Sequence, residues 1–323
     1  MADITSDRLR NIVLLSHSGA GKTVLSEAIL HVAGVTSRVG TIQDGTTTSD
    51  YEPEEVRRQT SVQTSIAPCP WRGHKINVID TPGYTDFRAE AMSGIRVADA
   101  AVFVVAGPAG VEVGTQQMWR LADKLNLPRM VYISKMDREN ADFKRLMASI
   151  TELFGRQCVS ITIPIGSEAS FSGIVNLLDP DSEVPETLRD AVGVAREQLT
   201  EAVAQTNDDL TTKYLEGEPL SQEEIARGLK QGVAAGTIVP VLVGASTSSI
   251  GTSELMDALV DYMPSPTDAA PVKATGGSSK EEVTLVADSN GPLAALVFKT
   301  SADPFVGKLS YLRVYSGTFK SDS

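Results

Sequence analysis

Blocks of uninterrupted apolar residues separated by helical periods set the pattern of this chain. Ile12-Val13-Leu14-Leu15, Ala101-Val102-Phe103-Val104-Val105-Ala106, Arg129–Ile133 and Thr237–Val243 lack polar–apolar alternation. Such runs suit central strands of a parallel sheet covered on both faces. Lys75–Asp80 adds a further strand. Between strands, Met118, Leu121, Ala122 and Leu125 recur at helical spacing, as do Leu255, Ala258, Leu259 and Tyr262. Both patterns predict amphipathic helices that pack on a sheet. Another helix is predicted from about Gly21 to Gly34.

Residues 156–236 interrupt this rhythm. There 160–165 and 171–178 read as strands, and 186–205, 208–216 and 222–235 as helices, so the segment is expected to be an inserted α+β subdomain. Acidic residues exceed basic ones through most of it, giving an acidic face that serves solubility or docks a basic partner. From Met263-Pro264-Ser265-Pro266 to about Asn290 the composition turns to Pro, Ala, Gly and Ser, which marks a linker. Leu293–Thr300 and Lys308–Tyr315 then read as strands, the second with alternating Leu312 and Val314. Two strands do not make a stable sheet alone. Either they pack on the first domain or the chain is a piece of something longer, and the second is the expectation. The organisation is therefore α/β, a mostly parallel sheet flanked by helices: a first domain over 1–265, a linker over 266–290, and the start of another domain over 291–323.

Length agrees with more than one domain, since 323 residues exceed the ~250–300 at which one core stops growing. A net charge of −12 argues against broad nucleic-acid binding, and no partnership with free DNA is expected. Cys69 and Cys158 fit no metal spacing and read as ordinary thiols. The amino terminus carries no basic stretch followed by an apolar one, and no apolar run is long enough to span a bilayer. The expectation is a cytoplasmic protein with no membrane partner.

The chemistry sits at the strand ends. Ser16-His17-Ser18-Gly19-Ala20-Gly21-Lys22-Thr23 follows the first apolar run and opens a helix. That is the context of a phosphate-binding P-loop, although the strict pattern has Gly where Ser16 stands. Backbone amides and the helix N-terminus would hold phosphate oxygens, Lys22 would reach the β- and γ-phosphates, and Thr23 would ligate Mg²⁺. The aperiodic polar stretch from Arg38 to Thr64 reads as a long loop and a candidate switch. The strand over 75–80 ends in Asp80-Thr81-Pro82-Gly83, which places Asp80 on Mg²⁺ and the Gly83 amide on the γ-phosphate. Ser134-Lys135-Met136-Asp137 at the next strand end selects the base. A carboxylate at Asp137 accepts two hydrogen bonds that guanine donates and adenine cannot, and Lys135 packs its stem on the ring. Gly244-Ala245-Ser246 would set an amide on guanine O6. The ligands expected are GTP or GDP with Mg²⁺.

Together with these motifs, Tyr262-Met263-Pro264-Ser265-Pro266, 291–299 and 302–308 carry a resemblance. The chain resembles the N-terminal part of the bacterial elongation factor G family, and within it the elongation factor G-like second paralogue. The resemblance implies a P-loop GTPase domain with an extra subdomain at 156–236, then the opening of a β-barrel. It implies a monomeric translation factor that hydrolyses GTP on the ribosome. Rival readings are a GTP-gated ribosome binder with weak hydrolysis and a ribosomal protection factor. Against the family's pattern, Tyr84 stands where a water-orienting His is usual, and a phenol cannot become the cationic donor that an imidazolium is. Ser18 and Thr60 replace apolar residues that screen the water, and Gly19 replaces a common Asp. Ser61 takes the place of the Mg²⁺-binding switch Thr. Val24 leaves only its amide for the α-phosphate. The resemblance thus implies retained binding by Lys22, Thr23 and Asp80, and retuned hydrolysis around Tyr84.

Overall fold

The computed structural model describes residues 4–276, 280–303 and 307–320. The first half builds strands and helices in near alternation: β1 (Leu9–Leu15), α1 (Lys22–Val32), α2 (Pro53–Arg58), β2 (Ser65–Trp71), β3 (His74–Asp80), α3 (Arg88–Val97), β4 (Ala100–Ala106), α4 (Val113–Lys124), β5 (Arg129–Ser134) and α5 (Phe143–Phe154). The second half follows with β6 (Cys158–Ser160), β7 (Thr162–Ile165), β8 (Gly173–Asn176), α6 (Arg189–Ala204), α7 (Asp208–Leu215), α8 (Gln222–Ala235), β9 (Val239–Val243) and α9 (Thr252–Tyr262). Two hairpin pairs end the chain: β10 (Val272–Thr275) with β11 (Glu282–Leu285), and β12 (Ala294–Asp303) with β13 (Gly307–Ser316).

The main sheet runs β2-β3-β1-β4-β5-β9-β6. Every pair is parallel except β2 with β3. β2 can only be an edge, because exposed Pro68 and Pro70 have no amide to donate to a further strand. The apolar runs of β1, β4 and β5 are buried on both faces. Ile12, Leu14, Val102, Val104 and Tyr132 face α1 and α9, while Val13, Leu15, Phe103, Val105 and Ile133 face α3, α4 and α5. On the latter face Trp119 stacks on Phe154 with ring centroids 3.9 Å apart, and the Arg129 guanidinium covers the indole at 4.7 Å. Parallel connectivity puts the carboxyl ends of β1, β3, β4, β5 and β9 along one rim, where the motif loops lie.

Several local expectations are refined. The 160–165 run is two strands: Cys158–Ser160 pairs with β9 in the main sheet, and Thr162–Ile165 turns away to pair with β8. The inserted segment therefore shares its first strand with the main sheet. Its Val159, Val192, Val203 and Leu229 belong to the same buried cluster as Ile12 and Leu25. The polar stretch 38–64 contains helix α2, too short to show a period but started by Pro53 and a capping box between Glu52 and Glu55. The linker holds the β10–β11 hairpin. Of the stretch 302–308, Pro304, Phe305 and Val306 lie outside the described residues. The β12–β13 pair is seated on the first domain. Arg313 donates to Asp99 at 2.7 and 3.2 Å and to Val97 O at 2.7 Å, and Lys299 donates to Thr64 O. Asp99 is buried and also accepts from Asn11 at 2.7 Å, so this contact is a satisfied ion pair.

Candidate functional site

The loop after β1 wraps over the N-terminus of α1. Gly19 and Gly21 adopt φ of +79° and +101°, values that glycine reaches without steric cost. Gly21 is the N-cap and supplies no side chain to the first amides of α1, so these donors are free to face an anion. Lys22 lies buried beneath the loop, its Nζ donating to Ser16 Oγ at 2.9 Å and to His17 O at 3.3 Å. Ser16 thus serves as an internal acceptor for the lysine. Burial lowers the Lys22 ammonium to about 8, opposed by the charges of Asp80 and Asp50. His17 is held from behind, its amide donating to Thr115 Oγ1 at 3.0 Å.

The turn after β3 presses against this loop. A Cβ on Gly83 would stand 2.6 Å from Lys22 Nζ and 2.7 Å from Ser18 N, so only glycine permits the approach. Thr81 points inward and donates to Leu14 O at 2.6 Å, which locks the turn to β1. Tyr84 is exposed, beside Ser18 and Thr60 in the wall of one cavity of about 600 Å³. That cavity is also lined by Gly21, Lys22, Thr23, Val24, Ser61, Lys135, Asp137 and Ser246. Ser16, His17, Ala20, Asp80, Thr81, Pro82, Gly244 and Ala245 are not among its lining residues.

At one end of the cavity oxygen ligands converge. Thr23 Oγ1 and Ser61 Oγ are 3.0 Å apart. Both carboxylate oxygens of Asp80 are buried without a hydrogen-bond partner. Burial raises Asp80 to about 7, opposed by Lys22. Asp50, which the sequence reading did not single out, is buried in the same state with both oxygens unpartnered, and burial raises its carboxyl as well. Two buried carboxylates with unpartnered oxygens, beside the Thr23 and Ser61 hydroxyls, make an all-oxygen donor set that suits a hard cation such as Mg²⁺. Among the described residues no three His, Cys, Asp or Glu side chains gather into a metal cluster. A cation here would need hydroxyls and phosphate oxygens too, which fits an ion brought with a nucleotide.

The loops after β5 and β9 form the other end of the cavity. Ser134 Oγ donates to Ala20 O at 2.7 Å and Lys135 Nζ to Gly19 O at 2.6 Å, clasping the loop after β5 onto the loop after β1. Lys135 takes a left-handed φ of 59°, a strained conformation for a lysine. Met136 N donates to Gly244 O at 3.3 Å, joining the β5 and β9 turns. Thr247 Oγ1 donates to Asp137 Oδ2 at 3.4 Å, a contact with no sequence signal.

Carboxylates also hold the polar stretch between α1 and β2. Glu27 on α1 accepts from Gly40 N at 3.2 Å and Thr48 N at 2.6 Å. Glu55 accepts from Glu52 N at 3.2 Å, Val62 N at 2.9 Å and Gln63 N at 3.0 Å. Both are buried, and neither was legible as functional, Glu27 on a predicted helix and Glu55 in an aperiodic stretch.

Comparison with known proteins agrees with this geometry. The profile described as the elongation factor Tu GTP-binding domain matches residues 7–265. The chain is 39% identical to "Elongation factor G" of Thermotoga maritima, over 98% of this chain and 48% of that protein. A crystal structure from Thermus thermophilus superposes with a TM-score of 0.83 at 33% identity, covering 96% of this chain and 46% of the other. The chain thus spans about half the length of the relatives it matches.

Proposed function

The chain belongs to the family of elongation factor Tu GTP-binding domains, and from that premise we propose that it binds GTP with Mg²⁺ and hydrolyses it as part of an elongation factor G-type translation factor acting on the ribosome. The observation that carries the reading is the cavity whose lining joins Lys22, Thr23, Asp50 and Ser61 to Lys135 and Asp137. A phosphate chain and a guanine occupy those ends in that order.

The β1–α1 loop amides and Lys22 bind the β- and γ-phosphates. Thr23, Ser61 and Asp80 would hold the Mg²⁺, with Asp50 behind them; the ion neutralises phosphate charge when bound. Gly83, packed against Ser18 and Lys22, presents its amide at the γ-phosphate. Tyr84 orients the attacking water through its hydroxyl, and Ser18 and Thr60 form a polar gate around it. Asp137 accepts from the guanine N1–H and 2-amino groups, Lys135 covers the ring, and the 244–246 amides meet O6. On loss of the γ-phosphate, Gly83 and Ser61 lose their partner and the 38–62 segment is released. The division into a 1–265 domain carrying the 156–236 insertion, a 266–290 linker and a 291–323 opening of a β-barrel belongs to this reading, as does a cytoplasmic monomer.

The test is single-turnover GTP hydrolysis by the full-length protein, with and without ribosomes, beside Tyr84→His. Strong stimulation of the native protein supports a translocase-like role with Tyr84 as a working water positioner. Tight GTP binding without stimulation, restored by His, would replace that role with a nucleotide-gated binder.

A further inference from the structure

The amides expected at guanine O6 lie on the turn that ends β9, and a side chain with no place in the phosphate chemistry lies beneath that turn. Tyr132 on β5 is completely buried. Its phenol oxygen lies against Gly244: a Cβ built at 244 would collide with that oxygen and with Ile250 O. The phenol donates to Ile250 O at 3.5 Å, a long bond, and the same carbonyl accepts from Ala245 N at 3.0 Å, closing the 245–250 turn.

Two more hydroxyls share this place. Ser246 and Thr252 are 5% and 0% exposed, and neither hydroxyl has a hydrogen-bond partner. Ser246 ends the Gly244–Ser246 turn, and Thr252 opens α9 two residues after Ile250. Packing does not call for this. Phenylalanine would fill the same space between α1 and α9 without burying a hydroxyl, and an imperfectly partnered buried hydroxyl is costly.

We propose that Tyr132 is a positioning residue for base recognition. Its hydroxyl, with those of Ser246 and Thr252, sets the Gly244–Ser246 turn so that its amides meet the oxygen at position 6 of a guanine. The proposal rests on the guanine reading above. Asp137 reads the neighbouring N1–H and 2-amino group, from a loop that Tyr132 does not touch through its hydroxyl.

The experiment measures affinities of the native chain, Tyr132→Phe and Thr252→Val for three diphosphates. GDP has every recognised group. 6-Thio-GDP replaces O6 by sulfur, a poor acceptor, and keeps N1–H and the 2-amino group. Inosine diphosphate keeps O6 and lacks the 2-amino group. In Tyr132→Phe the preference for GDP over 6-thio-GDP should fall by about tenfold, the worth of one neutral hydrogen bond. The preference for GDP over inosine diphosphate should hold, and Thr252→Val should show the same pattern with a smaller drop. Equal weakening of all three ligands would mean a merely structural role and would overturn the proposal, as would an unchanged 6-thio preference in both variants. If the native chain binds no GDP, the guanine reading fails and this proposal with it. If it binds GDP and only the 6-thio preference fails to move, the guanine reading stands and Tyr132 alone is excluded.

Discussion

Removing the Glu55 carboxylate should open the switch segment without touching a phosphate-binding group. Its two oxygens, 1% exposed as a residue, take the amides of Val62 and Gln63 at 2.9 and 3.0 Å and close the capping box on Glu52. Hydrogen bonds to a charged acceptor contribute ~1.5–3 kcal/mol each. The Val62 and Gln63 amides are only half-buried and regain water when the loop opens, so the two bonds together hold the closed segment by about 3 kcal/mol. Glu55→Ala should therefore shift the closed-to-open ratio by about 100-fold, because 1.4 kcal/mol is a factor of ten. Glu55→Gln keeps an acceptor and loses the charge, and should shift the ratio about fivefold. Ser61 precedes Val62, so an open segment withdraws its hydroxyl from Thr23, and with it a proposed Mg²⁺ ligand. The assay is twofold: amide hydrogen exchange at Val62 and Gln63, and the affinity ratio of a non-hydrolysable GTP analogue to GDP. Exchange should accelerate and the ratio should fall in Ala more than in Gln, while GDP affinity without Mg²⁺ holds. Unchanged exchange and an unchanged ratio in Glu55→Ala would refute the clamp.

Thr247→Val removes the hydroxyl that donates to Asp137. It should lower the preference for GDP over inosine diphosphate about threefold, measured by competition binding, because a bond this long lies at the weak end of the range. Glu224 on α8 is held down to about 2 by the Lys213 ammonium and the Ser221 amide. A carboxyl lowered in the folded state stabilises the fold above its unfolded value near 4.5 and loses that contribution as pH falls toward 2. Glu224→Gln should therefore flatten the acid limb of a thermal-unfolding profile in that window and change the melting temperature least below it. Burial pushes both Cys69 and Cys158 up to about 12. Iodoacetamide at pH 8 should leave both thiols unlabelled in the folded chain and label both in denaturant, as read by mass spectrometry.

Residue order alone was enough for the parallel sheet and for the turns at its strand ends. An apolar run without alternation has one stable place, between two helical layers, and Val102, Phe103 and Val104 occupy it. Gly19, Gly21 and Gly83 were legible because the turns they make exclude other residues. Contacts made across sequence distance had no local signature. Glu27 and Glu55 are ordinary helix acids until the loop they anchor folds over them. Asp50 is one polar residue among many until α1 and β3 bury it beside Asp80. Tyr132 reads as one more apolar position in a central strand, and only the seating of the β9 turn on that strand turns its hydroxyl toward Gly244. Strand runs and glycine turns are local physics, written in neighbouring residues. The partners of a buried polar atom are set by which distant segments share its space, and only the folded chain decides that.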